Sequence, residues 1–144
     1  MSIVSFKVDL ESIDGTTTKM TAGNHTAIFD TGKEGGGNDK GATPGAYVAG
    51  ALGACKVITA ELLAKKMHID LKSLRIEVEA DFDPDSAKNP DIPKGLQAFR
   101  TKYFIESDNS EKELEKFIKT VEENCPIRHT LLEIPKESYE IVKA

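Results

Sequence analysis

One apolar stretch constrains this chain more than anything else in it. From Pro44 to Cys55 no residue carries a charge, and beyond Lys56 the run resumes through Val57, Ile58 and Ala60 towards Met67. Thr43 can cap a helix that starts at Pro44, because proline lacks only an N–H that a first turn would leave unpaired anyway. The pattern predicts a long helix over 44–67, and its early turns have no face that asks for water, so a core helix is expected. Glu61, Lys65 and Lys66 break the run before roughly 18 apolar residues accumulate, and no membrane span is expected. Gly50 and Gly53 each cost about 1 kcal/mol against alanine inside a helix. With Ala46 and Ala54 they form a stripe of small residues that lets another backbone come close, and the expected partner is the same helix of a second copy.

The rest of the chain arranges itself around that helix. Val4, Phe6, Val8 and Leu10 alternate with polar residues, the period of a half-buried strand, and Asp14-Gly15 signals a hairpin. Returning strands are expected over 16–21 and 25–30. The segment 31–42 holds Gly32, Gly35, Gly36, Gly37 and Gly41 without the spacing of a phosphate loop, and reads as a mobile connection. Leu74 to Phe82 alternates without a fault, so one face is core and the other strongly charged. Pro84, Pro90 and Pro93 exclude regular structure through most of 83–95, after which Phe99 to Ile105 resumes strand composition. Ser110 and Glu113 stand in the two places of a capping box, and Leu114, Phe117, Ile118 and Val121 give the buried stripe of a helix from Glu111 to about Asn124. Pro126 can open a further short helix to Leu132, and Ser138 to Val142 reads as an edge strand. Strands and helices without a βαβ rhythm indicate an α+β fold, and 144 residues form a single domain, 1–144.

A net charge of −5, spread along the chain with both signs mixed, argues against a nucleic-acid partner. No basic region followed by an apolar segment opens the sequence, so a cytoplasmic protein is expected. The two cysteines, Cys55 and Cys125, fit neither a disulfide scaffold nor a Cys-x-x-Cys motif. Cys55 sits among apolar neighbours, as a small buried hydrophobe would. Cys125 precedes a proline that starts a helix, where backbone N–H groups lower a thiol's pKa, so it is either a reactive thiol or simply a packed cap. Arg128 and His129 lie close enough in sequence to support a thiolate or to face solvent. No set of histidines and cysteines has the spacing zinc prefers, and no metal site is expected.

Pro44 opening the helix, Gly53-Ala54-Cys55 within it, the charged alternating strand and the capped helix ending in Cys125-Pro126 together resemble the family of osmotically inducible protein C and the organic hydroperoxide resistance protein (OsmC/Ohr). The glycines before the helix resemble its OsmC-like branch most. The resemblance implies antiparallel sheets wrapped around long central helices in an intertwined homodimer, with paired cysteines at the subunit interface. It implies a thiol-dependent peroxidase that reduces organic hydroperoxides in oxidative-stress defence, with Cys55 as the attacking thiol and Cys125 as the resolving one. An external dithiol would close the cycle, with no metal or organic cofactor. An apolar wall around Cys55 would favour organic hydroperoxides, since an alkyl chain gains burial there. Two departures stand out: Gly45 occupies the place of the glutamate that follows the helix-opening proline in the well-studied peroxidases, and the arginines are Arg75, Arg100 and Arg128, none of them N-terminal. These departures motivate two other expectations, a non-catalytic protein binding a small apolar or thiol ligand, and a slowly oxidised redox sensor.

Overall fold

Asp9–Asp14 (β1), Thr17–Ala22 (β2) and His25–Phe29 (β3) form an antiparallel sheet in the order β1-β2-β3, in a computed structural model that describes residues 2–143. The chain divides into two units, one ending at Val48 and the other beginning at Ala49. In the first unit Gly15, with φ +57°, makes the tight turn between β1 and β2, a backbone conformation that glycine adopts without steric cost. The first strand starts later than the alternation suggests: residues 4–8 lie outside it, and Val4 and Phe6 are 74% and 97% exposed. An alternating pattern marks a face to be covered, and among the described residues that face stays exposed.

The glycine-rich segment is not a loose connection. It contains a short 3₁₀ turn, Lys33–Gly35, and wraps the carboxylate of Asp30, which accepts from Thr16 Oγ1 at 2.7 Å, Thr17 Oγ1 at 2.8 Å, the Thr31 N–H at 2.8 Å and the Lys40 N–H at 3.2 Å. These donors hold the Asp30 carboxyl well below the usual carboxylate range, the Thr16 hydroxyl foremost, against the opposing effect of burial. Gly41 passes so close to the Ile28 carbonyl that a Cβ there would collide with it, which explains glycine at that position. Helix α1 (Pro44–Lys66) opens in this unit with the Ala46 N–H donating to Thr43 Oγ1 at 3.3 Å, and Tyr47 Oη donates to the Ile28 carbonyl at 2.9 Å.

The second unit pairs Ser73–Asp81 (β4) with Ala98–Glu106 (β5), antiparallel and in full register from Ser73↔Glu106 to Asp81↔Ala98. The alternation read from the sequence is what the strands show, inward Leu74, Ile76, Val78 and Ala80 and outward charges. Helix α2 (Glu111–Glu123) begins with the Ser110–Glu113 capping box, and the seven-residue α3 (Pro126–Leu132) follows with Cys125 as its N-cap. Phe117 and Val121 of α2 pack with Ala60 and Ala64 of α1 into the apolar core.

The architecture is mixed α+β with antiparallel sheets, as the sequence indicates. Two other expectations are corrected. Helix α1 is buried along one face only, through Leu52, Gly53, Lys56, Ala60 and Ala64, while Ile58 and Leu62 remain 59% and 69% exposed. Its apolar residues run around the whole cylinder, but α2 and the β4–β5 sheet cover one side. By length and composition alone, an 18-residue window of α1 also meets the requirement for a membrane span, with mean hydropathy 1.4. The segment 138–142 forms no strand and is exposed, and among the described residues no strand pairs with it. Within the small-residue stripe, Gly53 gives its closeness to the chain's own sheet: a Cβ there would stand 3.1 Å from Val78 Cγ2, whereas Gly50 faces open space.

Candidate functional site

The two cysteines meet in the second unit. Cys55 projects from the middle of α1 and is half-buried; Cys125, fully buried, caps α3, and both are free thiols. Burial pushes the Cys125 thiol up; the backbone N–H groups of Arg128 and Ile127 oppose this, while the neighbouring Cys55 thiol adds to it by hydrogen bonding and charge. Cys55 opens into a groove of about 620 Å³ lined largely by apolar side chains, among them Ala51, Ile58, Leu62, Leu63, Pro126 and Ile127. Cys125 does not line it. The sulfur that a small molecule can reach from the groove is therefore that of Cys55.

Lys56, the next residue on α1, looks elsewhere. Adjacent helical residues differ by about 100° in direction. Lys56 borders a second cavity of about 530 Å³, together with Leu52, Phe99, Thr101, Glu122 and Arg128. Only 4% exposed, Lys56 donates from Nζ to Thr101 Oγ1 at 2.8 Å and pairs with Glu122 Oε1 at 2.8 Å. The same carboxylate accepts from Tyr103 Oη at 2.6 Å and pairs through Oε2 with Arg128 Nε at 3.1 Å. Burial works against a charged Glu122, but Lys56, Tyr103 and Arg128 outweigh it and hold its carboxyl low. Burial, and then the Glu122 carboxylate, push the Tyr103 phenol far above its usual range, so it remains a donor. Among the described residues no group of three or more His, Cys, Asp or Glu side chains is placed to hold a metal ion.

A family model described as OsmC-like protein matches residues 36–138, which take in both cysteines and the whole of this ion network. The chain belongs to the OsmC-like protein family. This OsmC-like chain is 34% identical over 93 residues to a hydroperoxide reductase of Mycoplasma pneumoniae, a match covering 64% of the chain and 63% of that relative, under two thirds of its length. The solved structure of an OsmC-like protein from Mycoplasma pneumoniae superposes with a TM-score of 0.81 at 24% identity, covering 91% of this chain and 89% of the other. An organic hydroperoxide resistance protein OsmC from Legionella pneumophila superposes with a TM-score of 0.66 at 14% identity, covering 91% of each chain. These structural likenesses establish the fold.

Of the residues singled out in the sequence, Cys55, Cys125 and Arg128 are brought together, and Lys56 joins them through Glu122. His129 is not drawn in: its Nε2 lies 2.8 Å from the Glu123 carbonyl oxygen. Lys40 pairs with Asp14 at 3.6 Å in the first unit. Sequence reading passes over Glu122 and Tyr103. A signal for Glu122 exists, since it falls four residues after Ile118 on the edge of the buried stripe, where a charge needs a partner.

Proposed function

We propose that this OsmC-like protein is a thiol-dependent peroxidase acting on organic hydroperoxides. The observation that carries the reading is the pairing of two free thiols, one facing an apolar groove and the other sealed behind it. The Cys55 thiolate attacks the outer oxygen of the hydroperoxide, the O–O bond breaks, and the alcohol leaves after taking up a proton. Cys55 is then a sulfenic acid. Cys125 attacks its sulfur, the S–S bond forms, the S–O bond breaks and water departs. An external dithiol supplies two electrons and two protons to regenerate both thiols and is itself oxidised to a disulfide. The groove favours an alkyl hydroperoxide, each buried CH₂ contributing about 0.8 kcal/mol. The open face of α1 with Ile58 and Leu62, and the exposed Val4 and Phe6, support a homodimer as the working form, which sedimentation of the purified protein would reveal.

The decisive experiment is intact-mass analysis after one equivalent of tert-butyl hydroperoxide. The native protein is expected to lose two hydrogens rapidly, and Cys125→Ser to gain one oxygen at Cys55. Oxidation no faster than that of an ordinary free thiol would sink the peroxidase reading and leave the groove as a binding site for a small apolar ligand.

A further inference from the structure

Lys56 and Arg128 follow the two cysteines at offsets of one and three residues, and a single carboxylate ties them together. Glu122 pairs with Lys56 at 2.8 Å and with Arg128 at 3.1 Å, and Tyr103 fixes the same group from β5 at 2.6 Å. A buried ammonium persists only where it is paired and hydrogen-bonded, and Lys56 is both, so it is not a vacant ligand site. Helix α3, by contrast, is held at its start by the buried Cys125 cap and by His129 Nε2 at 2.8 Å from the Glu123 carbonyl oxygen, with little apolar packing beyond. None of its seven residues is fully buried, and Leu132 is 63% exposed. Apolar burial therefore anchors this short helix weakly, and the ion pair of Arg128 with Glu122 is a principal tie. That matters because a disulfide tolerates little error, needing Cα atoms within about 7 Å and Cβ vectors that face each other.

We propose that Glu122 is a positioning residue for the cysteine pair: by bridging Lys56 and Arg128 it holds the segment that carries Cys125 against the helix that carries Cys55, and so sets how readily the two sulfurs close into a disulfide. The inference rests on the reading of Cys55 and Cys125 as a redox pair. It gives the residues beside the cysteines a role distinct from that of a cation near the attacking thiol, since the clamp acts on closure.

The test uses the full chain equilibrated with glutathione at graded ratios of disulfide to thiol, with closure read by intact mass. In this reaction the glutathione S–S bond breaks, the Cys55–Cys125 bond forms, and two glutathione thiols are released, so electrons and protons balance without peroxide. Glu122→Gln and Arg128→Met are each expected to need about tenfold more oxidising conditions for half-closure, about 30 mV in potential. Arg128→Lys keeps a cation opposite Glu122 and is expected to restore most of the difference. The Arg128 side chain is 37% exposed, so its replacement leaves no sealed cavity, and circular dichroism of the reduced variants checks that they fold. Folded variants that close at the native ratio would overturn the inference alone. A native protein that closes with glutathione yet consumes no peroxide would overturn the peroxidase reading and leave the clamp standing.

Discussion

The two units differ in what they bury. Among the described residues the first buries only Thr17 and Asp30, both polar, whereas the second buries an apolar set that includes Phe117, Val121, Leu52, Ala60 and Ala64, with Lys56 and Ser86 as its buried polar residues. Each also centres on one carboxylate, and the donors differ. Asp30 is held by hydroxyls and backbone N–H groups from residues 16–40, with no cation in its shell. Glu122 is held by two cations and a phenol from three other elements. Neutral donors aimed at one charge knot a local loop. Cations drawn from separate elements tie those elements to each other, and the second arrangement is the one beside the thiols.

The contrast can be broken at the apolar end first. Phe117→Ala is expected to cost about 3–5 kcal/mol in urea denaturation, the range for emptying a fully buried aromatic site; a loss under about 1 kcal/mol would mean that this core does not hold the second unit. At the polar end, the Asp30 carboxyl has a folded value below its ordinary 3.8, so its contribution is complete above that value and is lost as the pH falls below it. Asp30→Asn is therefore expected to lower the melting temperature by several degrees at pH 7 and to narrow its gap from the native protein in acid. A gap unchanged down to pH 2 would show that the charge is not what the donors stabilise. The smallest effect sharpens the picture of α1. Gly50→Ala should stabilise by up to about 1 kcal/mol from helix propensity, and Gly53→Ala by less, because its new methyl meets Val78. Equal gains at both positions would mean that the sheet yields at Gly53.

Much of this fold is legible where the signal is local. The Ser110–Glu113 box and Pro126 as a helix opener each depend on a few neighbouring residues and are found as read, and the alternation read from Leu74 to Phe82 holds as far as Asp81, with Phe82 beyond the strand and exposed. The long helix is equally plain, since Thr43 and Pro44 mark its start. Alternation at Val4–Val8 and strand composition at Ser138–Val142 mislead because they report a surface that wants covering and not what supplies the cover. The knot around Asp30 is hidden for a different reason: among glycines that look flexible, Gly37 and Gly41 are there for close backbone approach. In the site, the cysteines announce themselves by their contexts, but Glu122 meets Lys56 across 66 positions of sequence, and only the packing of α2 on α1 brings them together.

The sealed position of Cys125 bears on how such a protein would wear out. A sulfenic acid that meets a second hydroperoxide before its partner thiol is driven to sulfinic acid, which an external dithiol does not reverse. Only Cys55 faces the groove, so on the thiol-peroxidase reading damage accumulates at one sulfur while the other stays intact. Each cycle then carries a fixed chance of being the last, set by closure speed against peroxide concentration, and the working life of the molecule is counted in turnovers.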